Sequence, residues 1–290
     1  MAYFLAVANR KGGVGKSTVS VLLAQAFAAW GRKKVLLLDL DTQCNASLIL
    51  IGGERWRGAH KSRHTIADYF YDKFDGDVVA ADDYLLHDVG DILQPSARAP
   101  DLWLLPGSLL LEDVQGEIYL KQATQSRDPA IVSNHVRQRL IGLLKRFEYD
   151  FDLIVMDCPP GLSFAALAAL KVAQKVLVPF RPDYVSELAI DRVALLIEDK
   201  YSQSALDEVA KADRRYVCVP NCVRPTGRDR ILLDTIAYNH PMLGVQLPQH
   251  DALANAFDWQ DERQSMEEKY GEATPAVRVL YDAVGRTIGL

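Results

Sequence analysis

Short, nearly unbroken apolar runs recur along the chain: YFLAVA at 3–8, KVLLLDL at 34–40, DLIVMD at 152–157, KVLVPF at 175–180 and YVCVPN at 216–221. None alternates apolar with polar positions. A strand with one solvated face needs that alternation and a strand buried on both faces does not, so these runs predict a parallel sheet covered by helices on each side. Apolar positions at helical spacing lie between them, over 17–30, 131–147, about 163–173 and 185–200. The repeated order of strand, helix and strand predicts an α/β fold with a doubly wound, mainly parallel central sheet. DLWLLPG at 101–107 adds a further strand.

Segment 52–100 breaks the pattern. GGERWRGAHKSRH, DGD and QPSARAP surround short apolar pieces, which predicts loop-rich peripheral structure without a core of its own. One domain is therefore expected over 1–290. Arg55, Arg57, Lys61 and Arg63 form a basic cluster there, read either as a solvated loop or as a contact for a polyanion. Near the C-terminus, Val277, Leu280, Val284 and Ile288 follow helical spacing after Thr-Pro, so 274–288 is expected to be a helix packed on the sheet.

Composition narrows the class. Apolar residues make up 49% and charged residues 24% of the chain, a globular mixture. No run approaches the length of a membrane span, and no basic region precedes YFLAVA, so a cytosolic protein is expected. The net charge of −5 means that a nucleic-acid partner requires a local basic patch. Cys44, Cys158, Cys218 and Cys222 have neither C-x-x-C pairing nor metal-ligand spacing and read as reduced, mostly buried thiols.

The chemistry concentrates in NRKGGVGKST, Asn9 to Thr18. Gly12, Gly13 and Gly15 allow backbone N–H groups to turn inward around a phosphate, and the loop runs from a buried strand into a helix N-terminus. Lys16 then supplies a full charge to the β- and γ-phosphates, and the Ser17 hydroxyl is placed for Mg²⁺. Arg10 stands where the ordinary phosphate-loop pattern has its first glycine, and Lys11 adds a second lysine. In an extended strand Asp39 and Asp41 share one face with Leu40 opposite, so both carboxylates can approach one point.

The unbroken KGGVGKS of Lys11 to Ser17 resembles the variant loop of the ParA/MinD family of deviant Walker A P-loop ATPases, closest to the ParA-type partition proteins. The resemblance implies ATP and Mg²⁺ as cofactors, held by Lys11, Gly12, Gly13, Val14, Gly15, Lys16, Ser17 and Thr18. It also implies that Lys11 reaches across a dimer interface to the partner's ATP, making Lys11, Lys16 and Asp41 the catalytic set. VLLLDLDTQCNAS resembles the family's second motif, in which Asp41 would position or activate water and Asp39 would support Mg²⁺. Thr42 and Cys44 replace the usual proline and glycine, which predicts a looser loop. DLIVMDCPPG resembles the family's Walker B strand, making Asp157 the acceptor for metal-bound water, with Pro159, Pro160 and Gly161 in a stiff turn.

YVCVPNCVRP resembles the adenine loop, where Asn221 either reads the purine edge or serves as a turn residue, with Pro220 or Pro225 against the base. LPQHDALANAF resembles a further segment near the nucleotide and brings in Pro248. Most of 1–50, 101–122 and 140–290 takes part in the resemblance. By that resemblance the chain would be a single ATPase domain that forms an ATP-dependent homodimer, binds nonspecific double-stranded DNA, and hydrolyses ATP slowly under stimulation by a cargo-bound ParB-like protein. It would be cytoplasmic and nucleoid-associated, in a bacterium or archaeon, and would position a plasmid, chromosome or other cargo. Arg224, Arg228 and Arg230 are the DNA-binding candidates, with Arg192, Arg214 and Arg215 as helpers. No helix-turn-helix precedes the loop, so a separate operator-reading domain is not expected. A MinD-like membrane-associated ATPase and a nucleotide-dependent protein scaffold are the alternatives.

Overall fold

The computed structural model describes residues 1–76 and 80–290. Asp77, within the DGD of the 52–100 segment, lies outside the described residues. Along the chain, β1 (Tyr3–Val7) leads into α1 (Lys16–Ala29), and β2 (Val35–Asp39) into α2 (Asn45–Lys61) and α3 (Ile66–Asp75). A short β3 (Ile92–Leu93) precedes β4 (Leu102–Leu105), α4 (Leu111–Ala123) and α5 (Pro129–Lys145). Then come β5 (Leu153–Asp157), α6 (Phe164–Val172), β6 (Lys175–Phe180), α7 (Ser186–Ile197), α8 (Gln203–Asp207), β7 (Tyr216–Pro220) and α9 (Gly227–Asn239). The chain ends with α10 (Asp251–Asn255), β8 (Gln264–Ser265), α11 (Met266–Tyr270) and α12 (Thr274–Ile288).

The central sheet has six strands in the order β4-β2-β5-β1-β6-β7, and each neighbouring pair is parallel. Its strands feed two cores. Leu5, Val7, Leu37 and Val155 face α1, α2 and α12. Phe4, Ala6, Leu38 and Met156 face α3, α5, α6 and α7. Both faces are apolar, which is why the strand sequences do not alternate. All strands run the same way, so the loops after β1, β2, β5 and β6 gather at one end of the sheet. Crevices at the carboxyl ends of such strands are where α/β sheets bind ligands.

Segment 52–100 departs from its expected loop-rich form. Most of α2 and all of α3 are helical there. Gly52 (φ 67°, ψ 167°) is non-helical and breaks α2 sharply into two helical segments, the second of which runs on to Lys61. Only glycine tolerates that backbone region, and a Cβ would lie 3.0 Å from the Trp259 ring. Thr65 caps α3 by accepting from the Asp68 N–H, and Ile66, Tyr69 and Phe70 are fully buried. The basic cluster thus lies on and just after α2. Arg55 donates to the carbonyls of His87 and Asp88, and Arg63 pairs with Asp68 and Asp72.

The C-terminal helix α12 packs on the sheet as expected, with Val277, Leu280, Val284 and Ile288 buried. Just before it, Lys269 on α11 reaches inward to Asp91 at 2.6 Å, both groups being almost fully buried. The Gln25 amide also donates to Asp91 and accepts from the Tyr270 hydroxyl. This network ties the C-terminal segment to α1 and to the residue before β3. Lys269→Ala leaves the Asp91 charge buried without its cation and is expected to cost about 3–5 kcal/mol in urea denaturation, whereas replacing both partners with apolar residues is expected to cost much less.

Candidate functional site

The glycine loop joins the end of β1 to α1 at the carboxyl edge of the sheet. Gly13 and Gly15 take positive φ angles of 70° and 88°. Gly15 immediately precedes α1, and a Cβ there would collide with the Asn221 amide, so both conformation and space demand glycine. Val14 is buried and anchors the loop to the core. The loop glycines, Lys16, Ser17, Thr18 and Asp41 line a cleft of about 580 Å³. Lys16 is 7% exposed. Burial lowers its pKa, opposed by the nearby Asp157 and Asp41 carboxylates.

Lys11 behaves differently from Lys16. Its backbone N–H donates to Asn9 Oδ1 at 3.0 Å, while its ammonium pairs with Asp183, just after β6, and lies outside the cleft lining. Burial works to raise the Asp183 pKa, but hydrogen bonds from Lys11 and Ser186 outweigh it and hold the carboxyl below its usual range. Arg10 is exposed.

The register of β2 and β5 sets Asp39 directly beside Asp157. Asp39 is fully buried and accepts from the Ser47 N–H and hydroxyl at 2.8 and 2.6 Å, and from the Asp41 N–H at 3.2 Å. Its carboxylate is therefore engaged by the start of α2. Burial pushes its pKa up to about 6 against those hydrogen bonds. Asp157 accepts from Ser20 Oγ at 2.9 Å through one oxygen, and its buried Oδ2 has no hydrogen-bond partner among the described residues. Burial first, then the Asp39 charge, push Asp157 up to about 8, while the nearby Ser17 and Ser20 hydroxyls pull it down. One hydroxyl and one carboxylate with a spare oxygen fit Mg²⁺, which takes few protein ligands and keeps much of its water.

Asp41 lines the cleft, and its own turn is well tied. Asp41 Oδ1 accepts from the Gln43 N–H at 2.9 Å, and its carbonyl accepts from the Cys44 N–H at 2.9 Å. Cys44 has φ 53° and ψ 27°, the left-handed conformation that glycine would adopt freely. These bonds hold the turn with Cys44 in that left-handed position. Burial, followed by the Asp39 and Asp41 charges, pushes the Cys44 thiol up to about 12, leaving it unreactive.

A second pocket of about 280 Å³ adjoins the cleft and is lined by Asn221 and Pro248 among others. Segment 247–249 runs beside 220–223, with the Leu247 N–H donating to the Pro220 carbonyl and the Gln249 N–H to the Val223 carbonyl. Asn221 is 3% exposed. Its Nδ2 donates to the Val14 carbonyl and its Oδ1 accepts from the Cys222 N–H, both at 2.9 Å, so the amide fastens this pocket to the phosphate loop.

Arg224, Arg228 and Arg230 are exposed around the start of α9. Arg224 pairs with Asp229 at 3.6 Å, and the Arg228 guanidinium lies over the Tyr184 ring at 5.1 Å. Arg192 is exposed on α7. Arg214 does not join this surface. It is 3% exposed and donates to the Asn239 carbonyl and the Tyr216 hydroxyl. Arg215 is half-buried against the Leu170 carbonyl.

Gln43, Asn45, Arg181 and Trp259 also line the cleft and were not singled out from the sequence. Gln43 and Asn45 lie within the second motif and could have been found there. Arg181 and Trp259 come from distant segments, and no local pattern marks them.

The comparisons with known proteins agree with this geometry. The family described as AAA domain matches residues 2–206. The sporulation initiation inhibitor protein Soj of Bacillus subtilis is 30% identical over 184 residues, covering 63% of this chain and 60% of Soj. The chromosome partitioning protein ParA of Caulobacter vibrioides is 31% identical over 194 residues, covering 67% of this chain and 61% of that protein. The first two relatives, from Pseudomonas putida, are covered over 58% of their length, so the match spans less than two thirds of these relatives. A plasmid partition protein from Borrelia burgdorferi bound to AMPPNP superposes with a TM-score of 0.68 at 17% identity, over 99% of this chain and 100% of that one. The septum site-determining protein MinD from Pyrococcus horikoshii, complexed with Mg-ADP, gives a TM-score of 0.64 at 17% identity, over 99% and 96%. With its variant phosphate loop, its paired strand-end aspartates and a family match over more than half its length, the chain belongs to the AAA-domain family of ParA/MinD-type P-loop ATPases.

Proposed function

We propose that this chain is a ParA-type partition ATPase, whose ATP-bound form is a homodimer that holds nonspecific DNA and whose slow hydrolysis releases it. The observation that carries the reading is the division of labour between two lysines of one loop: Lys16 lies within the cleft, and Lys11 lies outside it, paired with Asp183. A lysine placed outside its own cleft is available to a neighbouring one. Exposed apolar side chains surround this end of the sheet, among them Leu48, Leu109, Leu162, Tyr184 and Val185. They follow the carboxyl ends of β2, β4, β5 and β6 and provide a surface that a second copy can cover. The name of the Caulobacter relative, a chromosome partitioning protein, supports the same reading.

ATP would lie with its phosphates against the loop N–H groups and Lys16, and its base in the Asn221 and Pro248 pocket. Mg²⁺, when bound, supplies charge to the β- and γ-phosphates and would be held by the Ser17 hydroxyl and, through water, by the free oxygen of Asp157. Asp41, on the cleft wall, orients the attacking water and accepts its proton. Lys11 exchanges Asp183 for the phosphates of the partner's ATP, an exchange favoured when the γ-phosphate is present. After hydrolysis the pairing with Asp183 again dominates and the dimer loosens. Catalysis rests on positioning and charge, so turnover is slow until a cargo-bound ParB-like protein stimulates it.

Arg224, Arg228 and Arg230 provide the DNA surface, doubled by dimerisation, which makes retention both nucleotide-dependent and steeply salt-dependent. The Arg228 contact with Tyr184 joins this surface to the loop that holds Asp183. A nucleoid location and a DNA-borne cargo follow from the same reading.

Binding to random-sequence duplex across a salt series is expected with ATP and Mg²⁺ and not with ADP and Mg²⁺. Arg228→Ala combined with Arg230→Ala is expected to spare ATP binding, weaken DNA retention at least tenfold and flatten its salt slope. DNA binding that ignores the nucleotide, or that survives the double change, would remove the DNA assignment and leave a scaffold role. Lys11→Ala is expected to keep ATP in the monomer and abolish the ATP-dependent dimer in sedimentation. The raised Asp157 pKa gives a separate test on nucleotide-free protein. The neutral carboxyl favours the fold at low pH, and that stability is lost as pH climbs from the ordinary carboxylate range through about 8. Asp157→Asn is therefore expected to raise the melting temperature by a few degrees near pH 9 and by less near pH 5.

A further inference from the structure

Arg181 has no assigned role, yet it lines both the phosphate cleft and the adjoining pocket. It follows β6 directly, and its backbone is held on each side. Its carbonyl accepts from Ser186 Oγ at 2.6 Å. The carbonyl of Pro179 accepts from the Asn9 amide at 2.9 Å, and that of Phe180 from the Asn221 N–H at 2.8 Å. Pro182, next in the chain, is buried. The base of the side chain is thus fixed to the same elements that shape the two pockets.

The guanidinium itself is exposed and, among the described residues, takes part in no ion pair. Arg63, Arg214, Arg224 and Arg263 each have a carboxylate partner. Arg181 adds a second cation to a cleft lined also by Lys16, Asp41 and Asp258, and an anion placed between the two cations is attracted by both. The position of Arg181 indicates which part of the anion. Gly15, Thr18 and Phe257 are the other residues shared by both pockets. Backbone N–H groups of a phosphate loop cradle the α- and β-phosphates, while the lysine reaches the β- and γ-phosphates. The junction between cleft and pocket is where the α-phosphate and ribose of a nucleotide lie.

We propose that Arg181 is a nucleotide-binding residue for the α-phosphate and ribose end, a contact common to ATP and ADP. This rests on the nucleotide reading above and deepens it. Lys11 responds to the γ-phosphate, whereas Arg181 binds what remains after hydrolysis. The loop from Arg181 to Ser186 therefore carries both a residue indifferent to the γ-phosphate and, in Asp183, the partner of the residue that senses it.

Titration calorimetry of the full chain with Mg-ADP and with a non-hydrolysable Mg-ATP analogue tests this in wild type, Arg181→Ala and Arg181→Lys. Arg181→Ala is expected to weaken both ligands by a similar factor of about 10–100, with Arg181→Lys restoring part of the loss. Unchanged affinity for both ligands in Arg181→Ala would overturn the inference. So would a loss confined to the ATP analogue, which would move Arg181 to the γ-phosphate. Equal melting temperatures for the three proteins show that the variants fold. Absence of ADP binding in the wild type would instead sink the nucleotide reading itself, which separates the two failures.

Discussion

Two carboxylates lie side by side at the ends of two buried strands, and much of the site is arranged around that cost. The β2–β5 register pairs Asp39 with Asp157, and both are fully buried. Desolvation at that depth pushes each toward the neutral form, and the Asp39 charge adds to the effect on Asp157. The fold answers the two differently. Asp39 is given to the protein: Ser47 brings the start of α2 against it, and Gly107 approaches so closely that a Cβ would lie 2.9 Å from its carboxyl. Asp157 receives Ser20 from α1 and keeps one oxygen free. One aspartate fixes the second motif in space, and the other retains capacity for a ligand.

That arrangement also explains the geometry of the adjoining turn. Asp41 lies on the cleft wall because Asp39 Oδ1 accepts its N–H and because its own side chain accepts from Gln43. Cys44 then takes a left-handed conformation that costs an L-residue roughly 1–2 kcal/mol. It is tolerated because the surrounding hydrogen bonds over-determine the turn. The resemblance to a glycine-bearing pattern locates the strain, and the structure shows what offsets it.

The loop after β6 connects features that are far apart in the chain. Asp183 faces Lys11 across 172 positions, Tyr184 supports Arg228 on α9, and Ser186 closes the loop on itself. The segment from Asp183 to Ser186 thus lies between Lys11 and the exposed Arg228.

The sheet, the phosphate loop and the strand-end aspartates were legible in the sequence because each depends on local residues. A run buried on both faces must be apolar throughout, a phosphate nest must be rich in glycine, and a carboxylate that ends a strand follows that strand. The C-terminal helix was legible for the same reason, its apolar face having helical spacing. Helices α2 and α3 were not, because the glycine pair and the polar residues around it read as loop, whereas Gly52 only separates two helical segments and lies against Trp259. The tertiary structure alone decided the rest. It buried Arg214 as a structural cation, turned the Asn221 amide onto the Val14 carbonyl, and brought Arg181 to the junction of two pockets. Which partner a side chain meets depends on segments a hundred or more residues away, and no local spacing encodes that encounter.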